Sequence, residues 1–179
     1  MPDSHPIPPV AIVVSTYNRT VTDALRDGAI GEFLRRGGSR DALAVIEAPG
    51  AFELPAVADA AAESGLYRGV CCLGCVIRGE TTHDQHISSA VAQGLMSISL
   101  RLGVPAAFGV ITANTSEQAR ARAGLVDAAS GGKGNKGVEA MAALLDTLGA
   151  IDAIADATDR RDPGLTFTLS STPTDKATP

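Results

Sequence analysis

Two histidines stand where an apolar run gives way to a polar segment and then to helical spacing. His83 directly follows the polar residues 78–82, and His86 lies three positions further along. A helix N-terminus disfavours positive charge, so it favours the neutral imidazole, which can accept a proton and return it. The alternatives are a solvent-facing histidine at a helix start, and a metal site on both rings, for which no third ligand lies nearby in sequence. We predict proton transfer as the role of His83.

The segment before His83 also suits an anion. Thr82 and Gln85 have the spacing of a capping box, which predicts that a helix begins here. The free backbone N–H groups at the start of such a helix favour a bound phosphate. Arg122 and the glycine-rich residues 131–137 are further phosphate candidates, although the glycine-rich residues lack the P-loop spelling. They could equally form a flexible solvated turn.

Aromatic and acidic residues follow two other apolar runs. Tyr17 comes just after residues 10–15. Phe52 and Glu53 come shortly after residues 42–48. Such rings either seal the core at the ends of strands or stack on a flat ligand, and two rings in equivalent loops favour a ring-binding site. Glu53 either complements a helix dipole or accepts hydrogen bonds from the hydroxyl and amine groups of a substrate.

Strands and helices that would position these residues alternate along the chain. Apolar runs predict strands at 10–15, 42–48, 69–77 and 106–112. Helical spacing and capping residues predict helices at 20–36, 53–64, 83–102 and 115–122, and a last helix capped by Asn135. The helix at 20–36 would be capped by Thr20. This alternation predicts an α/β fold with a parallel sheet covered on both faces, so that the loops after the strands meet at one edge.

The chain is predicted to form one domain with a tail. Residues 1–155 carry the alternating pattern. Residues 156–179 are rich in Asp, Arg, Thr, Ser and Pro, which predicts a disordered C-terminal tail.

Three cysteines, Cys71, Cys72 and Cys75, lie in the central apolar run. In a strand, Cys71 and Cys75 face one way and Cys72 the other, which is not the arrangement of a zinc site. We interpret them as small core residues in a reducing compartment.

Composition argues against several classes of protein. The formal net charge of −5 argues against a general nucleic-acid binder. No run reaches the roughly 18 apolar residues of a membrane span. The first residues lack the basic segment and apolar run of a secretory signal. We therefore expect a cytoplasmic protein without membrane or nucleic-acid partners.

Six segments together resemble the lumazine synthase family. They are VVSTYN at 13–18, APGAFELP at 48–55, LGCVIRGETTH at 73–83, VPAAFGVIT at 104–112, EQARARAG at 117–124 and NKGVEA at 135–140. Each segment alone is weakly specific, but their joint order and spacing are highly specific. The resemblance covers residues 10–148.

This resemblance implies a fold, a reaction and an assembly. The fold would be a flavodoxin-like three-layer sandwich with a four-stranded parallel sheet. The reaction would condense 5-amino-6-(D-ribitylamino)uracil with 3,4-dihydroxy-2-butanone 4-phosphate, releasing phosphate and water and leaving 6,7-dimethyl-8-ribityllumazine. It needs no metal or organic cofactor. The family forms homopentamers with active sites between neighbouring subunits, and riboflavin synthase is the further partner that the resemblance suggests.

Carried over by position, one group of residues would bind the pyrimidine. Tyr17 would stack on its ring, and Val76 and Ile77 would bind the uracil through backbone groups. The ribityl chain and the ring orientation would be set by Asn18, Ala51, Phe52 and Glu53.

A second group would handle the phosphate and the protons. His83 would be the general acid and base, and Glu80 and Thr81 would donate hydrogen bonds to the phosphate. The neighbouring subunit would supply Phe108 as a wall of the ring site, Arg122 as the phosphate partner and Lys136 as a donor to a ring carbonyl.

The sequence departs from the family pattern at two places. The family histidine is usually followed by an aromatic residue and an acid, whereas here Asp84, Gln85 and His86 follow. The partner that orients the His83 ring is therefore open, and Asp84 is a candidate. Residues 125–134 are longer than the corresponding turn in many family members. In the family, this turn takes part in the contacts between pentamers. Extra volume in such a packed, symmetric contact would prevent pentamers from closing into a shell. We therefore expect a pentamer, or at most a pair of pentamers, unless this segment folds flat and leaves the contact usable.

Two other functions share the same scaffold. The protein could be a non-catalytic flavin- or pteridine-binding module, or a shell-forming protein. The joint presence of Thr81, His83 and Arg122 favours the enzyme, because a pure binder needs no proton carrier beside a phosphate site.

Overall fold

The centre of the fold is one sheet of four parallel strands. The computed structural model describes residues 7–168 except 128, 130 and 162. The strands stand in the order β2-β1-β3-β4 and are β1 (Val10–Ser15), β2 (Leu43–Ala48), β3 (Gly69–Ile77) and β4 (Ala106–Ala113). The strands predicted from the apolar runs are confirmed. Because the order reverses between β1 and β3, a crevice opens at the carboxyl ends of these two strands.

Helices cover both faces of this sheet. They are α1 (Arg19–Arg35), α2 (Leu54–Glu63), α3 (His83–Leu102), α4 (Ser116–Arg122) and α5 (Lys136–Arg160), with a short 3₁₀ segment at Arg40–Ala42. One core cluster joins α1, α4 and α5 to one face, and a second joins α2 and α3 to the other. The predicted three-layer α/β sandwich is confirmed. None of the described helices is long and apolar enough to cross a membrane.

The cysteines of the inner strand β3 are core residues. Cys71 and Cys75 pack in one core cluster and Cys72 packs in the other, as the strand alternation predicts. Burial raises the pKa of the Cys71 thiol to about 12 and that of the Cys75 thiol to about 11. Both thiols therefore stay protonated at neutral pH, which makes them poor nucleophiles and poor metal ligands.

Two of the predicted helix caps, those of α1 and α3, do not form as predicted. The prediction that Thr20 caps α1 is wrong: the cap is Asn18, in the left-handed region with φ 60°, and its carbonyl accepts from the N–H groups of Val21 and Thr22. Thr82 does stand at the cap of α3, but its side chain makes no capping bond. Its backbone, at φ −82° and ψ 11°, is not in the extended conformation that capping uses.

Two other caps behave as predicted. The Thr115 hydroxyl accepts from the N–H of Gln118 at 3.3 Å. The Asn135 side-chain oxygen accepts from the N–H of Gly137 at 2.8 Å, which starts α5.

Helix α5 continues beyond the predicted end of the domain. It runs to Arg160, so residues 156–160, placed by composition in the tail, are helical. Ala157 is only 5% exposed, so this end of the helix packs against the rest of the chain although its sequence is polar. Phe167 lies against Gly149, since a Cβ built on that glycine would be 3.4 Å from the Phe167 ring. Residues 169–179 lie outside the described part of the chain.

A buried carboxylate links two helices on one face of the sheet. Glu32 on α1 is 4% exposed. Its oxygens accept hydrogen bonds from Arg35 at 2.7 Å and from Arg36 at 2.9 Å, and Arg36 also donates to Asp146 on α5 at 2.8 Å. The hydrogen bond from Arg35 holds the pKa of Glu32 below its ordinary value, although burial opposes this.

Replacing Glu32 by glutamine is expected to lower the free energy of unfolding by about 1–3 kcal/mol at neutral pH, because charge-assisted hydrogen bonds are lost. The folded-state pKa of Glu32 is lowered, so its stabilisation is present above the ordinary carboxyl pKa and is lost as pH falls through the folded-state pKa. The stability gap between wild type and Glu32→Gln should therefore narrow below about pH 4. Urea unfolding across this range measures the gap, and a gap that does not change with pH would contradict the assignment.

Candidate active site

A cavity of about 900 Å³ opens where β1, β2 and β3 end. It lies at the reversal of strand order, and the N-termini of α1, α2 and α3 meet there. We call it the site cavity. The predicted residues that line it are Tyr17, Asn18, Ala51, Phe52, Glu53, Val76, Ile77, Thr81 and His83. Residues from four separate stretches of sequence are thus brought into one space.

The end of β1 is tied to its neighbours by side chains. The Asn18 amide donates to the Cys75 carbonyl at 3.0 Å, which joins the ends of β1 and β3 across the crevice. The Thr16 hydroxyl donates to the Pro49 carbonyl at 3.1 Å and joins the loops after β1 and β2. Asn18 tolerates its left-handed backbone because asparagine is among the few residues that adopt it readily. The Asn18 side-chain oxygen remains available to a ligand.

Two aromatic rings stand at the mouth of the site cavity. Tyr17 is 69% exposed and Phe52 is 60% exposed. Neither ring seals the core, so that interpretation of these residues is wrong. Exposed rings beside a cavity are surfaces on which a flat ligand can stack.

The loop after β2 brings a carboxylate to the cavity. Glu53 is the cap residue of α2, and no side-chain capping bond holds its carboxylate to the helix. A Cβ on Gly50 would lie 2.7 Å from Glu53 Oε2, so the carboxylate folds closely over this glycine. Because Gly50 has no side chain, the Glu53 carboxylate can take this position and accept hydrogen bonds from a ligand in the cavity.

Strand β3 leaves part of its backbone beside the cavity. It pairs with β1 only as far as Leu73, but with β4 as far as Ile77. Beyond Leu73, the edge of β3 that faces β1 meets the site cavity and the Asn18 amide instead of a strand. Backbone groups there are available to a planar ligand with donors and acceptors on its rim.

His83 and His86 both line the site cavity from the first turn of α3, and both are exposed. The Thr81 hydroxyl accepts a hydrogen bond from the His83 backbone N–H at 3.4 Å. Asp84 also lines the cavity, and its Oδ1 is buried without a hydrogen-bond partner among the described residues. A buried carboxylate oxygen without a hydrogen-bond partner costs free energy, so a ligand group that donates a hydrogen bond to it would be stabilised.

The remaining predicted residues lie elsewhere. Phe108, Arg122 and Lys136 line a separate pocket of about 370 Å³ along β4, at the edge of the sheet. We call it the edge pocket. Arg122 donates to the carbonyl of Gln118 in its own helix at 3.2 Å. Glu80 is exposed and lines neither pocket. A single chain therefore does not bring Arg122 and His83 together.

The glycine-rich loop is an unfavourable phosphate site. The N–H of Gly132 donates to Asp127 at 2.8 Å and that of Lys133 donates to Ala121 at 2.9 Å, so neither is directed at a ligand. The Asn135 amide also donates to Ala24 and Ala123, both at 2.9 Å. Sequence reasoning predicted only the cap made by Asn135, whereas the residue also fastens α5 to α1 and α4.

Gly50 and Cys75 also line the site cavity but were not predicted to do so, and His86 was considered only as a metal ligand. His86 had a sequence signal, because i and i+3 share one face of a helix. Cys75 contributes its carbonyl, which residue type does not reveal. In the described part of the chain, no three His, Cys, Asp or Glu side chains are grouped to hold a metal ion, so the two-histidine metal site finds no third ligand there.

Comparison with known proteins supplies a family for this geometry. The family model for 6,7-dimethyl-8-ribityllumazine synthase matches residues 8–151, which include every predicted site residue. A protein of that name numbered 1, from Caulobacter vibrioides, is 45% identical over 154 residues, covering 86% of this chain and 97% of its own length. Proteins of the same name from Helicobacter pylori strain HPAG1 and from Sulfurovum are each 44% identical over 139 residues, covering 78% of this chain and 85% of their own lengths.

Proposed function

The chain belongs to the 6,7-dimethyl-8-ribityllumazine synthase family, and we propose how its two pockets carry out the reaction. It is an enzyme of riboflavin biosynthesis. It joins 5-amino-6-(D-ribitylamino)uracil to 3,4-dihydroxy-2-butanone 4-phosphate and releases phosphate and water. The observation that carries the assignment of roles is that the predicted pyrimidine residues of one chain, together with His83 and Thr81, line a single cavity at the switch point of the sheet.

The pyrimidine substrate occupies the part of the site cavity between β1, β2 and β3. Tyr17 stacks on the ring, with the exposed Phe52 beside it. The Glu53 carboxylate and the Asn18 side-chain oxygen accept hydrogen bonds from the ribityl hydroxyls. Backbone groups of Val76 and Ile77 bind the uracil edge, next to the part of β3 that has no strand partner on the β1 side.

The phosphate substrate lies at the start of α3. Thr81 and the backbone N–H groups at this helix start donate to the phosphate, together with the loop at Glu80. Arg122 from a neighbouring subunit pairs with the same group bidentately, which stabilises it as it departs. From that same subunit, Phe108 walls the ring and Lys136 reaches a ring carbonyl.

His83 moves protons during bond formation and bond cleavage. The 5-amino group attacks the ketone carbon, and the carbinolamine loses water to give an imine. A proton then leaves C3 as the C4–O bond to phosphate breaks, and the resulting enol becomes a ketone. The ribitylamino nitrogen attacks that ketone and a second water leaves. Holding both substrates together supplies much of the rate.

Mixing the purified protein with both substrates tests this function. Lumazine absorbance and fluorescence should appear faster than in the uncatalysed mixture. A non-catalytic flavin- or pteridine-binding protein would bind the product or an analogue without accelerating its formation. A shell-forming protein would do neither. No rate above the uncatalysed one would overturn the proposed function.

The separation of the two pockets within one chain supports an assembly of subunits in which both pockets serve one site. We expect a homopentamer in the cytoplasm, or at most a pair of pentamers, because residues 125–134 place extra bulk in the turn between the last two helices. Riboflavin synthase, which would use the product, is the further partner we propose. Analytical ultracentrifugation of the 18.2 kDa chain measures the assembly. A particle near the megadalton range would show instead that these residues fold flat and leave the shell contact usable.

A further inference from the structure

The site cavity holds a second imidazole that the proposed mechanism does not use. His83 and His86 are one helical turn apart on α3, and both line the same cavity. Side chains at i and i+3 lie about 5–6 Å apart at Cβ and point to the same side of a helix. Both rings can therefore reach one bound ligand at different atoms.

The other titratable groups of the cavity come from each element around it. Tyr17 follows β1, Glu53 starts α2, Cys75 belongs to β3 and Asp84 lies on α3 between the histidines. Burial raises the pKa of the Cys75 thiol to about 11, so it carries no charge at neutral pH. Histidine is the side chain that ordinarily changes charge between pH 5 and 8. Among these lining groups, the two imidazoles are thus the suitable proton carriers.

We propose that His86 is a second proton carrier in the condensation, acting on the same bound substrates as His83. The proposal rests on the proposed function. At the elimination step, one neutral imidazole accepts the proton from C3 as the C4–O bond breaks and phosphate leaves. At each dehydration, an imidazolium gives its proton to the departing hydroxyl, which leaves as water. Two rings can hold these opposite protonation states at once, whereas one ring must alternate between them.

Asp84 supports the charged state of this pair. Within the described part of the chain its Oδ1 is buried without a hydrogen-bond partner, and Asp84 lines the same cavity as both imidazoles. A carboxylate beside this cavity favours positive charge that forms in the cavity during turnover.

The test compares His86→Gln with Gln85→Ala, an exposed neighbour on the same turn that does not line the cavity. His86→Gln keeps a polar side chain but cannot carry a proton. We expect its kcat to fall about tenfold, a part of the general acid–base effect because His83 remains, with KM for both substrates little changed. The pH profile of kcat should lose one ionisation. Gln85→Ala should match wild type in both.

Three outcomes separate the possibilities. An unchanged kcat and pH profile in His86→Gln would overturn the role of His86 while leaving the enzyme assignment intact. A raised KM with unchanged kcat would make His86 a binding residue and would also overturn the proposal. Wild-type protein that forms no lumazine would instead overturn the proposed function itself. Circular dichroism of both variants establishes that any loss of rate occurs in folded protein.

Discussion

His83→Ala is expected to turn over about 100-fold more slowly than wild type, the lower end of the range for losing general acid–base help. The ring lies at the first turn of α3 and lines the cavity that the pyrimidine residues share. Binding of a ribityl-pyrimidine analogue should change little, because the stacking and hydrogen-bonding groups lie on the loops after β1 and β2. Steady-state kinetics and analogue titration measure the two quantities separately.

A matched control for this variant is Gln85→Ala, which changes the same turn of α3 without changing the lining of the cavity. Turnover of His83→Ala equal to that of wild type would remove His83 from the mechanism. A hundredfold loss in both variants would point to a disturbed helix start instead. If His86 is the second carrier, the double variant His83→Ala/His86→Gln should be slower than either single variant.

Arg122→Ala is expected to weaken the phosphate substrate far more than the pyrimidine substrate. A charge-assisted hydrogen bond contributes on the order of 1.5–3 kcal/mol, which corresponds to a rise of roughly 10- to 150-fold in KM for 3,4-dihydroxy-2-butanone 4-phosphate. In its own chain the Arg122 guanidinium donates only to a backbone carbonyl of its helix among the described contacts, so little folding energy depends on it.

Arg120→Ala supplies the comparison for Arg122→Ala. Arg120 is exposed on the same short helix but lines neither pocket. Its removal should leave KM for both substrates unchanged. Equal weakening of both substrates in Arg122→Ala would identify a defect of folding or assembly rather than a lost phosphate contact.

The layered fold could be predicted from the sequence because its strands are short apolar runs. Gly69–Ile77 is apolar on both faces, and burial of Cys71, Cys72 and Cys75 on opposite sides follows from strand alternation. The start of α1 could not be predicted from capping residues. Asn18 is held there by a hydrogen bond to Cys75, a residue 57 positions away in sequence. Helix and capping preferences depend on residues that are close in sequence, so they cannot predict this long-range contact.

The residues of the candidate site could be predicted from the sequence, but their full arrangement in space could not. Loops after parallel strands meet at one edge, which placed Tyr17, Glu53 and His83 together. Only the family resemblance implied that Arg122 acts from a neighbouring subunit. Residue types alone did not, because its place in a different pocket depends on how α4 packs beside β4. Nor could they reveal the unpaired oxygen of Asp84, since hydrogen-bond satisfaction depends on three-dimensional neighbours.

We expect each active site to combine the site cavity of one subunit with the edge pocket of another. Co-expressing His83→Ala and Arg122→Ala chains with different affinity tags, and purifying through both tags, gives mixed assemblies. Random mixing places an intact His83 beside an intact Arg122 in about a quarter of the sites of a cyclic assembly. At limiting phosphate substrate, the mixed assemblies should show about a quarter of the wild-type kcat/KM per chain. Activity no greater than the mean of the two single variants would contradict it.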